Sequence, residues 1–267
     1  MSFVEDLRGF ISGFGEEIVK DSFSYSLTRD LFDSRYKNTR SINSPGKFSG
    51  LFLEDGAVKA AYGDVSLKVK EYEGNIYEFN WYDGPEMPVE ILNESGGFTI
   101  QDNKAVSAGI SIEFSDSGIL IRDKDGMEIE KSKVEVSGGF IKHSYNIYKN
   151  EHLYGTGERA LPLDLKGHAC RLWNHDANGS YGPDSDPLYL NVPIILHALN
   201  GKFFLRFYAN AGDGYIDAGY SNEDSVLVSF RSPPLKYYLI TGSLNEIYSA
   251  LSKITGKPYM PPLWSFG

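Results

Sequence analysis

The chain has a single cysteine, Cys170, in 267 residues. That excludes an internal disulfide framework and any Cys-x-x-Cys metal or redox motif, and is compatible with a reducing compartment. No run approaches the ~20 consecutive apolar residues needed to cross a bilayer. Positive charge is in deficit: 26 Lys and Arg face 36 Asp and Glu, a net charge of -10. Such a surface repels a phosphate backbone, so nucleic acid is not an expected partner. The N-terminus, MSFVEDLRGFISGFGEEIVKDS, has early acids and no basic stretch before an unbroken apolar core, so it does not read as a secretion signal. A cytoplasmic location is expected. The sequons at Asn93 and Asn178 then read as chance matches. Phe3, Val4, Leu7, Phe10 and Ile11 suggest a short amphipathic helix.

What is abundant is aromatic and turn-forming residues: 18 Tyr, 16 Phe and 28 Gly. This mixture favours a strand-rich, turn-rich protein. Between about residues 47 and 150, apolar residues alternate with polar ones. Val65, Leu67 and Val69 precede the turn Glu73-Gly74-Asn75, and Ile76, Tyr77, Phe79 and Trp81 follow. Ile110, Ile112 and Phe114 lead through Asp116-Ser117-Gly118 to Ile119 and Ile121, and Val134, Val136, Phe140 and Ile141 continue the series. Strands resume with Leu188 to Leu199, Lys202 to Tyr208, Val226 to Phe230 and Leu235 to Ile240. Ten or more short strands predict an antiparallel β-sandwich. Near the end, Ser243 and Glu246 form the S-x-x-E box that caps a helix. Leu244, Ile247, Tyr248, Leu251 and Ile254 mark its apolar face, and Gly256 and Pro258 end it.

Residues 153 to 187 differ: a long, glycine-rich, polar interval with little strand character, of the kind that is usually functional or disordered. Three readings compete there. His168, Cys170, His175 and Asp176 can ligate metals, but their spacing matches no common site, so no metal or cofactor is expected. Gly155-Thr156-Gly157 resembles part of a phosphate loop without the helix that would complete it. The third reading is sugar recognition, with Trp173 and Tyr181 stacking on a pyranose face and Asn174, His175 and Asp176 bonding its hydroxyls. Core packing for Trp173 and a turn role for Asp176 are the plainer alternatives. Glu158-Arg159 reads as an ion pair or turn support. Asp184 and Asp186, ahead of Pro187, read as turn residues. Asp123-Lys124-Asp125-Gly126 reads as a hairpin turn, because a calcium loop would need a Glu where Val134 stands.

YGTGERA (Tyr154 to Ala160), LWNHDANGSYGPDSDPLYLNVPIIL (Leu172 to Leu196) and TGKPYMPPLWSFG (Thr255 to Gly267) occur in that order. Together they resemble the N-terminal region of glycoside hydrolase family 31, the α-glucosidases and α-xylosidases, with archaeal maltases nearest in pattern. The resemblance implies a galactose-mutarotase-like β-sandwich over residues 1-242. The helix and linker of residues 243-267 would then lead into a (β/α)8 barrel that this sequence does not contain, supplied by the same or a second chain. Members are retaining enzymes, whose two catalytic carboxyls stand about 5 to 5.5 Å apart. In the family both lie in the barrel, so no catalytic residue is expected in this chain, which alone should be inactive. What carries over is a loop over the barrel mouth, with Asp176 binding an α-linked oligosaccharide substrate. Ser180 to Asp186 looks longer than the usual loop. A homo-oligomer of the full enzyme is an expected assembly, while a free-standing carbohydrate-binding module and a sugar epimerase or mutarotase are the rival expectations. The last would need a positioned His/Glu pair, and the sequence points to none.

Overall fold

The computed structural model describes residues 46–63, 65–83, 97–137, 139–210, 213–231 and 234–266. The expected N-terminal helix and the Asn93 sequon lie outside them. Among the described residues, seventeen strands follow one another in the chain. The first group is β1 (Phe48–Glu54), β2 (Ala57–Tyr62), β3 (Val65–Tyr72), β4 (Ile76–Asp83), β5 (Thr99–Gln101) and β6 (Lys104–Val106). Next come β7 (Ile110–Ser115), β8 (Gly118–Asp123), β9 (Glu128–Ser137), β10 (Phe140–Asn146), β11 (Glu151–Gly157) and β12 (His168–Leu172). The series closes with β13 (Asn191–Leu199), β14 (Lys202–Tyr208), β15 (Gly214–Ala218), β16 (Ser225–Arg231) and β17 (Leu235–Gly242).

They form two sheets. One has the order β1-β2-β3-β4-β17-β14-β13-β11 and the other β12-β15-β16-β10-β9-β8-β7-β6-β5. Neighbouring strands pair antiparallel throughout, for example Val69 opposite Phe79 and Ile141 opposite Phe230. The fold is the mainly β, antiparallel sandwich that the alternation predicts, and it agrees with the mutarotase-like sandwich that the resemblance implies. Side chains of period two fill the space between the sheets. Tyr77, Phe79 and Trp81 of β4 and Tyr237 and Leu239 of β17 face Ile112, Phe114, Ile121 and Val228 from the other sheet in one cluster. Phe79 and Tyr237 stack at 4.8 Å.

The core is not wholly apolar. Glu130 of β9 and His143 of β10 enter from one sheet, and Glu151 of β11, His197 of β13 and Arg206 of β14 from the other, each at most 2% exposed. Arg206 holds Glu130 Oε2 through Nε at 2.9 Å and Nη2 at 2.7 Å. Its Nη1 lies 2.7 Å from His197 Nε2, and His197 Nδ1 is 2.6 Å from Glu151 Oε1. His143 lies between Glu130, at 3.2 Å, and the Tyr208 hydroxyl, at 3.0 Å. A guanidinium can only donate, so His197 Nε2 accepts, its Nδ1 donates to Glu151, and the ring is neutral. Burial and the Arg206 charge push the His197 imidazolium down to about 4 against the pull of Glu151. Burial alone would raise Glu130, but Arg206 and His143 outweigh it and hold the carboxyl well below its usual range.

Helix α1 (Leu244–Thr255) lies on the outer face of the first sheet. The capping box forms as expected: the backbone N–H of Ser243 donates to Glu246 at 2.8 Å and that of Glu246 to the Ser243 hydroxyl at 3.4 Å. The buried stripe is Ile247, Ala250 and Ile254, packed on Tyr72, Ile76, Leu205, Tyr238 and Ile240. Tyr248, expected on that face, is 55% exposed, because the i, i+3, i+7 stripe through Ile247 leaves it about 100° round the helix. Beyond Gly256, Tyr259, Met260 and the short 3₁₀ turn Leu263–Phe266 are exposed. Among the described residues, no helix is long and apolar enough to cross a membrane.

Candidate functional site

The polar interval of residues 153 to 187 contains more strand than its composition suggests, because β11 ends and β12 begins within it. The Gly155-Thr156-Gly157 segment is a bulge in the β11–β13 ladder, not a phosphate cradle. All three residues have positive φ, and an added Cβ would meet Ile194 O at 2.4 Å from Gly155 and Leu190 O at 2.4 Å from Gly157. Only glycine allows that approach. The bulge turns the chain so that Arg159 runs inward beneath the loop.

Arg159 does not pair with its neighbour Glu158. Its Nη1 donates to Asp186 Oδ1 at 3.0 Å, and its Nη2 to Thr156 O at 3.0 Å and Asn191 Oδ1 at 2.5 Å. Asp186 also accepts from the backbone N–H of Arg171 at 2.6 Å. The Arg159 and Asp186 side chains are both 4% exposed. Asp186 is therefore not the turn residue expected of it: a serine-proline context hid a buried ion pair that ties β11, β12 and the start of β13 together. Burial pushes its carboxyl up to about 6, with Arg159 and the Arg171 amide opposing. Asp184, by contrast, is an exposed, positive-φ residue whose N–H reaches Ala160 O at 2.7 Å.

Above this truss the loop walls a cleft of 390 Å³ lined by Leu172, Trp173, Asn174, Asn191, Pro193, Asn210 and Phe230. Both sheets contribute, through the ends of β12 and β16 and the start of β13. Trp173 is 47% exposed and sits against the Arg171 guanidinium, 5.0 Å from its ring centroid. It is thus not a core residue. Asn174 Oδ1 accepts from both nitrogens of Asn191, the backbone at 3.0 Å and the side chain at 2.5 Å.

The other expected site residues do not line this cleft. His175 is exposed, with its backbone N–H on Leu188 O at 2.9 Å. Asp176 is exposed and accepts from the Asn178 N–H at 2.7 Å, the turn role weighed as its plainer alternative. Tyr181 packs edge-on against Tyr189, with centroids 6.1 Å apart, and the Tyr189 hydroxyl accepts from Gly179 N. Trp173 and Asn174 therefore share a wall with Asn191 and Asn210, while Asp176 and Tyr181 sit further along the loop. Asn191, Asn210 and Tyr189 were not singled out from the sequence. Asn191 lay in plain view between two apolar runs, where an inward polar residue is a signal.

Cys170 is buried, and burial pushes its thiol up to about 11. Among the described residues, no three His, Cys, Asp or Glu side chains converge to hold a metal. Two His/Glu pairs that the sequence had not revealed do exist, His143–Glu130 and His197–Glu151. Both are sealed in the core, where no sugar can reach them for acid–base chemistry.

A family model described as the glycosyl hydrolase 31 N-terminal galactose mutarotase-like domain matches residues 51–217. The chain belongs to this family. Its relatives include an alpha-glucosidase of Saccharolobus solfataricus, 33% identical over 118 residues that make up 44% of this chain and 17% of that protein. An alpha-xylosidase of Lactiplantibacillus pentosus is 24% identical over 214 residues, 76% of this chain and 27% of the relative. Among solved structures, the Flavobacterium johnsoniae family 31 dextranase superposes with a TM-score of 0.74 at 18% identity, over 84% of this chain and 30% of its own. The chain thus spans less than a third of the length of each of these three proteins.

Proposed function

We propose that the chain is the substrate-pocket domain of a retaining α-glucosidase-type glycoside hydrolase, contributing a wall of the sugar site while a (β/α)8 barrel outside these residues supplies the nucleophile and the acid. The observation that carries this reading is the cleft itself: Trp173 and Asn174 are presented at one end of the sandwich on a loop pinned from beneath by Arg159 and Asp186. Wherever catalysis depends on placing a sugar to within a fraction of an ångström, a rigid wall of this kind contributes positioning. An exposed indole offers a pyranose its apolar face, and amides bond neutral hydroxyls without preferring charge. Asp176, further along the loop, is assigned to orient a sugar hydroxyl, with His175 and Tyr181 beside it.

The names of the relatives support α-linked glucosides or xylosides as the substrate class. The first test is the intact mass of the native polypeptide carrying this sequence. A mass well above 29.8 kDa places the domain in a larger enzyme, in which Asp176→Ala should raise KM for malto-oligosaccharides more than it lowers kcat. The isolated 267-residue chain should not cleave an aryl α-glucoside. Hydrolysis above background by the purified chain would sink the proposal. The exposed Trp173 also keeps a free-standing carbohydrate-binding module in play: a native mass of 29.8 kDa together with tight oligosaccharide binding would favour it.

A further inference from the structure

The amide polarity of the cleft is set from below. Arg159 carries only donors, so the Asn191 atom 2.5 Å from its Nη2 is the carbonyl oxygen. Asn191 Nδ2 then has to point the other way, and there it meets Asn174 Oδ1 at 2.5 Å. The backbone N–H of Asn191 reaches that same oxygen at 3.0 Å. Two donors thus fix Asn174 Oδ1 as an acceptor, which leaves its NH2 group directed away from Asn191. Asn174 is exposed and lines the cleft, and among the described residues its Nδ2 donates to no protein group. Arg159 is held against flipping or drifting by its bonds to Asp186 and to Thr156 O.

We propose that Arg159 is a specificity-determining residue acting through Asn191. It holds Asn174 with its two amide hydrogens presented to the ligand, so the cleft reads an acceptor oxygen, hydroxyl or glycosidic, on a neutral sugar. This deepens the sugar reading of the cleft and rests on it. An Asn side chain without such a relay interconverts its oxygen and nitrogen at little cost and selects weakly. With the relay, a ligand that turns a donor toward Asn174 leaves two donors opposed, and a site built around one hydrogen bond rejects such a partner far more strongly than a missing methylene would be rejected.

The test uses the native polypeptide that carries this domain, maltotriose as the probe, the Trp173 indole N–H resonance to report occupancy and the side-chain amide resonances of Asn174 and Asn191 to report polarity. In the unmodified protein, maltotriose should shift the Asn174 NH2 signal and leave that of Asn191 in place. Asn174→Asp keeps both bonds from Asn191 and exchanges the presented donor for an acceptor; binding should weaken about tenfold, the scale of one hydrogen bond lost. Arg159→Lys loses the fork that fixes Asn191, so the Asn191 side-chain amide should exchange with water faster even without sugar. A Trp173 response with the Asn174 amide unmoved and Asn174→Asp unaffected would overturn the relay while the sugar cleft stood. Unchanged Asn191 exchange in Arg159→Lys would remove Arg159 from it. No response of any kind to maltotriose would remove both the relay and the sugar reading of the cleft.

Discussion

Replacing His197 by Gln isolates the proton sensitivity of the sandwich core. Gln can accept from Arg206 and donate to Glu151 as the neutral imidazole does, but it cannot titrate. In the native chain His197 is 0% exposed and its imidazolium is pushed down to about 4 from an ordinary 6.5. The unfolded state therefore binds a proton below 6.5 that the folded state refuses until about 4. Stability from this group is fully present above pH 6.5 and is lost as pH falls toward 4. At about 1.4 kcal/mol per pH unit, the loss between pH 6.5 and 4.5 is about 2 to 3 kcal/mol. His143, also pushed down by burial, adds a slope of the same sign to both proteins and cancels in the difference. Urea unfolding of the two proteins at half-unit steps from pH 7 to 4.5 gives the comparison. The His197→Gln protein should start less stable, having lost the stacking of His197 on Phe204 at 4.6 Å, and should then decline more slowly, so that the two curves converge by about 2 kcal/mol or more. Parallel curves would refute the assignment of a neutral His197 wedged between Arg206 and Glu151.

Asp186 should give the opposite slope. Its carboxyl is pushed up to about 6, so the folded state holds a proton that the unfolded state has released, and stability falls as pH rises from about 4 to about 6. Asp186→Asn should lack this decline, and thermal melts that keep the same pH slope as the native chain would count against it. Cys170, buried and with its thiol up at about 11, should resist iodoacetamide in the native chain and react once urea unfolds it; rapid native alkylation would contradict its burial. Gly157→Ala places a Cβ 2.4 Å from Leu190 O at a φ of +98° and should destabilise the chain by more than about 1 kcal/mol, read from the urea midpoint.

How far the sequence could be read depended on whether a residue obeyed the alternation of its strand. Val65, Leu67 and Val69 or Ile110, Ile112 and Phe114 keep period two and were legible as strands with a defined inner face. β15 (GYIDA) was not, because Gly214 and Asp217 interrupt the pattern, although the Asp217 carboxylate is satisfied by the backbone N–H groups of Tyr220 and Ser221. β12 is only His168–Leu172 and sits at the edge of its sheet, too brief to show a period. In KFFLRFY the inward positions are Phe204, Arg206 and Tyr208, so a charge occupies a core slot, but nothing local says that its partner is Glu130, 76 residues away. The candidate loop showed the same divide. Trp173 and Asn174 stood out by type, whereas the Arg159–Asp186 pair and the Asn191 contact join residues 27 and 32 positions from Arg159 and exist only once β11 and β13 have paired.

The charged chain through the core also bears on how the two sheets find one alignment. Apolar faces alone are forgiving, because sliding β14 by two residues returns inward side chains to the inside and costs little when every neighbour is greasy. Such a slide would carry Arg206 about 7 Å along its strand, leaving a buried guanidinium without its carboxylate and taking from Glu130 and His197 the partner that Arg206 gives each, at a cost on the order of several kcal/mol. The ion pair is then a key cut for a single notch. Replacing Glu130 and Arg206 together by Leu is expected to leave a chain that still collapses and holds its strands, but with doubled or broadened amide signals in β13 and β14 where two alignments exchange. A single sharp set of signals from that double variant would show that packing alone had chosen the register.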